Sequence, residues 1–308
     1  MAVHREHIRI GGCDIKITRP DKVLFPQDGI TKRDLIDYYR RIAPRMLPHL
    51  RNRPLALERY PSGIQSPGFF QKATPFYFPD WIETVTIKRK TGGTVRQVVC
   101  NNAATLVYLA NQACITPHVW LSRGDQLERP DQLVFDLDPS TDSFEPVKAT
   151  AQALKHLLNE LGLPAYVKTT GARGLHVAVP LKQTETFPSV RAFAVGLAEI
   201  AVRQAPEQRT LEQRKERRCG RVFIDTNRNA YAQTVAPLYS VRPRRGAPLS
   251  APLGWDELGR TELRPESVTI RNVFERLDKT GDPWKNFWQQ RASLKRARQK
   301  LEKLSGAG

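Results

Sequence analysis

The chain has 308 residues with 49 Lys+Arg against 31 Asp+Glu, a formal net charge of +18 and a pI near 10.1. A hydrophobic fraction of 40% supports a real core. The absence of any apolar run of about 18 residues excludes a membrane-spanning helix. The charge excess points to a polyanionic partner.

Residues 1–7 lack the apolar stretch of a secretory signal. Cys13, Cys100, Cys114 and Cys219 are scattered without a C-x-x-C pair, which reads as reduced thiols of a cytoplasmic protein, with no zinc site or disulfide framework. Residues 8–18 predict a hairpin turning at Gly11-Gly12. Thr31-Lys32-Arg33-Asp34 carries the signals of a helix start, with Leu35, Tyr38, Tyr39 and Ile42 continuing it and Pro44 and Pro48 expected to break it. A strand is predicted at 55–60, with turns at Pro61-Ser62-Gly63 and Ser66-Pro67-Gly68 leading into Phe69-Phe70-Gln71-Lys72. Strands at 84–90 and 94–99 flank Gly92-Gly93, the first ending in Lys88-Arg89-Lys90, and 102–112 reads as a buried helix.

From Leu133 the pattern becomes strand, helix (146–161), strand (165–169), strand (175–179), helix (189–205), a basic stretch through Arg214-Lys215-Glu216-Arg217-Arg218, and strand. This alternation predicts an α/β (α+β) layer with both helices on one side of a sheet. Residues 237–252, which include Arg242-Pro243-Arg244-Arg245, read as a long loop leaving the core. The tail from 284 ends in a basic amphipathic helix whose sparse apolar residues, Leu294, Leu301 and Leu304, suggest a solvated surface. No Gly/Ser-rich linker separates the halves, so they are expected to pack as one unit.

Three features carry the chemistry. Leu133-Val134-Phe135-Asp136-Leu137-Asp138-Pro139 is an apolar strand ending in two acids; strand alternation puts Asp136 and Asp138 on one face with Leu137 in the core, and Pro139 stops the ladder. Such a pair attracts Mg2+ or Mn2+, although solvated acids would give the same pattern. Arg221 to Asp225 is a second apolar strand ending in a carboxylate, either a third metal ligand or the start of a turn with Asn227. Between them, Thr169-Thr170-Gly171-Ala172-Arg173-Gly174-Leu175-His176 joins two strands through glycines, a hydroxyl, a cation and a histidine. It reads as a triphosphate cradle or as an ordinary hairpin turn.

In this order the three features resemble the archaeo-eukaryotic primase superfamily, and most closely its branch in the polymerase domain of bacterial ATP-dependent DNA ligase D. Asp21-Lys22-Val23-Leu24-Phe25-Pro26, Lys32, Phe69-Phe70-Gln71-Lys72, His118 and Ala236-Pro237-Leu238-Tyr239-Ser240-Val241-Arg242 extend the likeness over nearly the whole chain. The turn departs from the family's common form in carrying Thr170 where serine is frequent and Arg173 where lysine is frequent; hydroxyl and charge are kept.

The resemblance implies a primase-like core of mainly antiparallel and mixed sheets flanked by helices. It implies one polymerase domain over 1–308: an N-terminal subdomain (1–125) with DNA-end and base contacts, a metal and nucleotide core (126–250), and a C-terminal helical basic tail (251–308). Asp136, Asp138 and Asp225 would be catalytic and hold two Mn2+ or Mg2+ ions. Thr170, Gly171, Arg173, His176, His118 and Arg242 would surround an incoming NTP or dNTP, and Phe70, with Phe69, would stack on a base. Lys22 and Lys32 would grip a DNA 5′-phosphate. The implied activity is addition of nucleotides, preferably ribonucleotides, at breaks or gaps in non-homologous end joining. The implied partners are DNA ends and gapped duplex, ligase and phosphoesterase domains of the same polypeptide, and Ku, in the cytoplasm at the nucleoid and without a membrane. A metal-dependent nuclease or phosphoesterase, and a non-catalytic DNA-end-binding module, are the alternatives. The triphosphate-sized turn weighs against the nuclease.

Overall fold

The structure is a computed structural model that describes residues 6–89 and 92–306; the start of the chain and Lys90 of the basic strand end lie outside the described residues. The fold is mixed α/β with sheets flanked by helices. It forms two compact units, one of Met1–Asp125, Thr234–Ser250 and Thr269–Arg271, the other of Gln126–Gln233, Ala251–Val268 and Asn272–Gly308.

The first unit opens with the predicted hairpin, β1 (Glu6–Ile10) and β2 (Cys13–Ile17), whose turn places Gly11 and Gly12 at φ +54° and +83°, where a side chain would be strained. After β3 (Val23–Phe25) and β4 (Ile30–Thr31) comes α1 (Lys32–Leu50). Thr31 and Asp34 form a reciprocal capping box, each accepting the other's backbone N–H at 3.2 and 2.7 Å. Contrary to expectation, α1 continues through Pro44 and Pro48. Both are exposed and four residues apart, so they share the solvent face, where water serves the carbonyls that lose their donors. The buried face, with Leu35, Ile36, Tyr39, Ile42, Met46 and Leu50, holds the helix in place.

The unit continues with β5 (Leu55–Arg59), β6 (Phe69–Gln71), the hairpin β7 (Thr84–Lys88) and β8 (Thr94–Val98), α2 (Ala103–Asn111) and β9 (Cys114–Trp120). Thr234–Val235, β9, β5 and β6 form an antiparallel sheet in that order, leaving β6 at an edge. The expected loop leaving the core is instead buried. Leu238, Tyr239, Val241, Ala247 and Leu249 are inaccessible, Val241 bridges Leu249, and the hydroxyls of Tyr38 and Thr116 donate to the carbonyls of Tyr239 and Val241, both at 2.6 Å.

The second unit contains β10 (Gln132–Asp138), α3 (Glu145–Glu160), β11 (Tyr166–Thr169), β12 (Leu175–Pro180), α4 (Phe187–Gln204), β13 (Arg209–Thr210), β14 (Val222–Asp225), α5 (Val273–Thr280) and α6 (Leu294–Gly306). Its sheet runs β13-β14-β10-β12-β11 and ends on Pro252–Leu253. All pairings are antiparallel except β13 with β14. Leu133, Phe135 and Leu137 of β10 share a core with Leu154 and Leu158 of α3 and Phe193 and Leu197 of α4. Each such side chain contributes about 1.5–3 kcal/mol by burial.

The C-terminal helix corrects the solvated-surface reading. Leu294, Ala297 and Leu301, spaced three and four apart, are buried in the same core. Gly196 of α4 makes room for Leu301, whose Cδ2 lies 3.3 Å from where a Cβ would stand. No helix among the described residues is long and apolar enough to cross a membrane.

Candidate active site

Register builds the second unit's site. β10 lies between β14 and β12, with Asp136 opposite Asp225 on one side and opposite His176 on the other. His176 in turn stands opposite Lys168 of β11. Directly opposed side chains in a sheet sit about 4.5–5.5 Å apart. Asp225, Asp136, His176 and Lys168 therefore form one row across four strands. Asp138, two residues along β10, shares the face of Asp136, while Leu137 is fully buried beneath. The strand stops at Asp138, before Pro139.

The row is crowded with charge. His176 Nε2 lies 3.2 Å from Asp136 Oδ1, and Arg228 Nε lies 3.4 Å from Asp136 Oδ2 and 3.9 Å from Asp225 Oδ2. Burial pushes the His176 imidazole down to about 4, with the Lys168 charge adding to it. His176 is hydrogen-bonded to Asp136, and Arg228 and Lys168 add positive charge around that carboxylate. Burial alone would raise the Asp136 carboxyl, but His176 first, then Arg228 and Lys168, outweigh it and hold it well below the usual range. Asp138 goes the other way: burial, then the negative charge of Asp136, pushes its carboxyl up. His176 Nδ1 is buried without a hydrogen-bond partner in the protein.

Three carboxylates on neighbouring strands are the hard oxygen donors that Mg2+ and Mn2+ take. The residues fit a divalent ion in donor type. Among the described residues, no three His, Cys, Asp or Glu side chains already converge into a finished metal-binding group; Arg228 occupies the space beside Asp136 and Asp225.

The predicted cradle is a tight turn. Gly171 sits at φ +64°. Thr170 Oγ1 accepts the N–H groups of Ala172 and Gly174, both at 3.2 Å, and donates to the Gly174 carbonyl at 3.1 Å, so this hydroxyl staples the turn. Gly174 is fixed by a close approach: a Cβ there would stand 1.9 Å from the Leu137 carbonyl oxygen. Arg173 is exposed, with Nη2 3.7 Å from Asp142 in the loop after β10.

Asp225 opens the turn its sequence allowed and stands in the acidic row. Its Oδ1 accepts the Asn227 N–H at 2.7 Å, opening a turn, while its side chain stays in the acidic row. The next residues, Asn227–Asn229, form a 3-10 turn that aims Arg228 back at the acids. Asn229 pairs with both the N–H and the carbonyl of Val134, at 2.9 and 2.7 Å, in place of a strand. Arg228 and Lys168 escaped the sequence reading. The signal for Arg228 was a cation three residues past a strand-end acid; for Lys168 it was strand alternation combined with the register to His176.

The first unit holds the remaining candidates. His118 Nε2 meets Glu58 Oε2 at 2.9 Å, and the Phe70 ring lies 5.2 Å from the imidazole, tilted by 56°. Burial would raise the Glu58 carboxyl, but the His118 hydrogen bond and the charges of His118 and Arg242 hold it below its ordinary value. Glu58 was not anticipated, since only the pairing of β5 with β9 brings it to His118. Phe70 is opposite Glu58, whereas Phe69 is opposite Arg59, so the two phenylalanines project to opposite faces. Lys32 donates its backbone N–H to the Lys22 carbonyl at 2.8 Å. Its ammonium is buried against the carbonyls of Thr18 and Asn111, and burial, then the charges of Lys22 and Arg19, pushes it down to about 8.

A family model described as the LigD primase-polymerase domain matches residues 31–284. The multifunctional non-homologous end joining protein LigD of Mycolicibacterium smegmatis is 34% identical over 271 residues, 87% of this chain and 35% of that protein. The bifunctional non-homologous end joining protein LigD of Bacillus subtilis is 32% identical over 277 residues, 89% of this chain and 44% of that protein. The chain thus spans well under half the length of these relatives. Among solved structures, the polymerase domain of Mycobacterium tuberculosis Ligase D in complex with DNA superposes with a TM-score of 0.84 at 30% identity, covering 90% of this chain and 99% of that one.

Proposed function

This chain belongs to the LigD primase-polymerase domain family, and on that premise we propose that it extends primer 3′-OH ends with nucleoside triphosphates, ribonucleotides by preference, at double-strand breaks and gaps in non-homologous end joining. It is a nucleotidyltransferase of the primase type. The observation that carries the reading is the row Asp225, Asp136, His176 with Asp138 alongside.

Nucleotidyl transfer in this family needs a divalent metal. We assign two ions, Mn2+ or Mg2+, to Asp136, Asp138 and Asp225, where bound ions would acidify the primer hydroxyl and neutralise the triphosphate. His176 holds Asp136 in place by a hydrogen bond. Arg228 lies against the two opposed acids and offsets their repulsion. Arg173, outermost on its turn, supplies charge to phosphate oxygens, with Thr170 and Gly171 fixing its loop. In the first unit, Phe70 stacks on a base, which is worth about 1–3 kcal/mol and tolerates any sequence. His118 and Arg242 make polar contacts to nucleotide, and Lys22 and Lys32 grip a 5′-phosphate. DNA ends and gapped duplex match the net charge of +18. Ku, and ligase and phosphoesterase domains in the same polypeptide, complete the proposed setting at the nucleoid.

The test is primer extension on a 5′-phosphorylated gapped duplex with Mn2+, comparing ATP with dATP, alongside Asp136→Ala. Ribonucleotide-favoured addition that disappears in the variant is the expected result. Strand shortening would instead identify a nuclease, and binding without either product an end-binding module.

A further inference from the structure

Among the described residues, six large hydrophobic side chains are exposed, and four of them, Phe69, Phe70, Phe76 and Tyr77, lie within nine residues of sequence. Phe70 faces His118, and the proposed function uses it. The other three do not share its surroundings. Phe69 projects to the opposite face, where the Arg59 guanidinium lies 5.6 Å from its ring centre. The same Arg59 donates to Tyr77 Oη at 3.0 Å and to Gln71 Oε1 at 2.6 Å. Arg59 therefore ties Phe69 and Tyr77 into one surface, and Phe76 continues it, edge-on to Tyr77 at 5.8 Å.

Phe76 is 100% exposed, yet its loop is held at both ends. On one side the Thr74 N–H and hydroxyl both donate to the Arg96 carbonyl, at 2.8 and 3.1 Å. On the other, Phe78 is buried edge-on to Tyr108 at 5.0 Å. Holding a phenyl ring wholly in water forfeits the stabilisation that its burial would give. The exposed side chains next to this loop on β7, β8 and their turn include Lys88, Arg89 and Arg96, with Lys72 on the loop itself. Of the nearby acids, Glu83 accepts from Asn101, and Asp80 is exposed past Phe78.

Flat aromatic faces among cations match one ligand chemistry: unpaired bases on a phosphodiester backbone. In a duplex the base faces are stacked and out of reach, whereas a single strand offers them. We propose that Phe76 and Tyr77 form a second stacking platform, on the face away from Phe70, which takes an unpaired base of a single-stranded DNA overhang while Lys72, Lys88, Arg89 and Arg96 meet its phosphates. The proposal rests on the DNA-end reading above.

The test is equilibrium binding by fluorescence anisotropy of the full chain, without nucleotide or metal, to a labelled duplex bearing a 3′ single-stranded overhang and to the same duplex made blunt, across a salt series. Phe76→Ala combined with Tyr77→Ala should weaken overhang binding about tenfold, leave blunt binding unchanged and leave the slope of log K against log salt unchanged, because no phosphate contact is removed. Phe76→Leu should weaken it like alanine and Phe76→Trp should restore it; neither disturbs the fold, since the Phe76 side chain is fully in water. Equal weakening on both duplexes, or none on the overhang, overturns the platform. Primer extension by the wild type is read separately. Failure to extend with the overhang effect intact sinks the polymerase reading alone, whereas normal extension without that effect sinks the platform alone.

Discussion

Each unit buries one histidine against one carboxylate, and the two pairs differ in what surrounds them. In the first unit Glu58 meets His118 at 2.9 Å, with Arg242 adding positive charge, and the carboxyl is held below its usual range. In the second, Asp136 meets His176 at 3.2 Å, but Asp225 stands opposite and Asp138 alongside. His176, with Arg228 and Lys168, holds the Asp136 carboxyl low, while burial and the charge of Asp136 push Asp138 up. The first pair can settle into a charge-balanced contact that positions a neighbour such as Phe70. The second sets three carboxylates side by side, with Arg228 between two of them. A histidine on a carboxylate thus sits beside one aromatic ring in one place and beside two further acids in the other.

The largest expected effect separates the two. Asp136→Ala or Asp225→Ala should lower nucleotide addition on the order of 10³-fold or more while DNA affinity, read by anisotropy, stays within about twofold; equal losses in both would remove the assigned roles. In the other unit, His118→Ala should reduce kcat/KM for the nucleotide about tenfold, chiefly through KM, as expected of a binding contact. A fall in kcat alone would erase the contrast. Glu58→Gln should reduce stability in denaturant by about 1.5 kcal/mol at pH 7. Because the folded carboxyl lies below its ordinary value of 4.5, this advantage of the wild type should be complete above that value and vanish as the pH falls further. An advantage that grew on acidification would contradict the assignment. The smallest effect belongs to Arg228→Gln. Its side chain is 41% exposed, so the metal-free protein should lose less than about 1 kcal/mol, while the rise in melting temperature on adding Mn2+ should become larger than in the wild type.

Much of this was legible locally. Alternation alone placed Asp136 and Asp138 together with Leu137 beneath, and Thr31 with Asp34 announced the start of α1. What escaped the sequence depends on partners distant along the chain. Pro44 and Pro48 read as helix breakers until their shared solvent face is known. The last helix looked solvated because Ala297 is a weak apolar signal, and its burial depends on the gap left by Gly196. Residues 237–250 carry turn-like composition, yet Tyr38 and Thr116, over a hundred residues earlier, supply the donors that bury them. Arg228, Lys168 and Glu58 take their places only once strand register is fixed, and a one-residue slip would send each to the other face.

The clearance at Gly174 bears on how this protein can be altered. With Leu137 O only 1.9 Å from the missing Cβ, the Thr170–Gly174 turn and the strand bearing both acids are fitted like machined parts with no play. Saturation mutagenesis at this codon should return glycine alone among active clones, even though the residue supplies no functional group. A designer wishing to widen the substrate range would do better to leave this joint untouched and vary exposed Arg173, which can change without moving the acids.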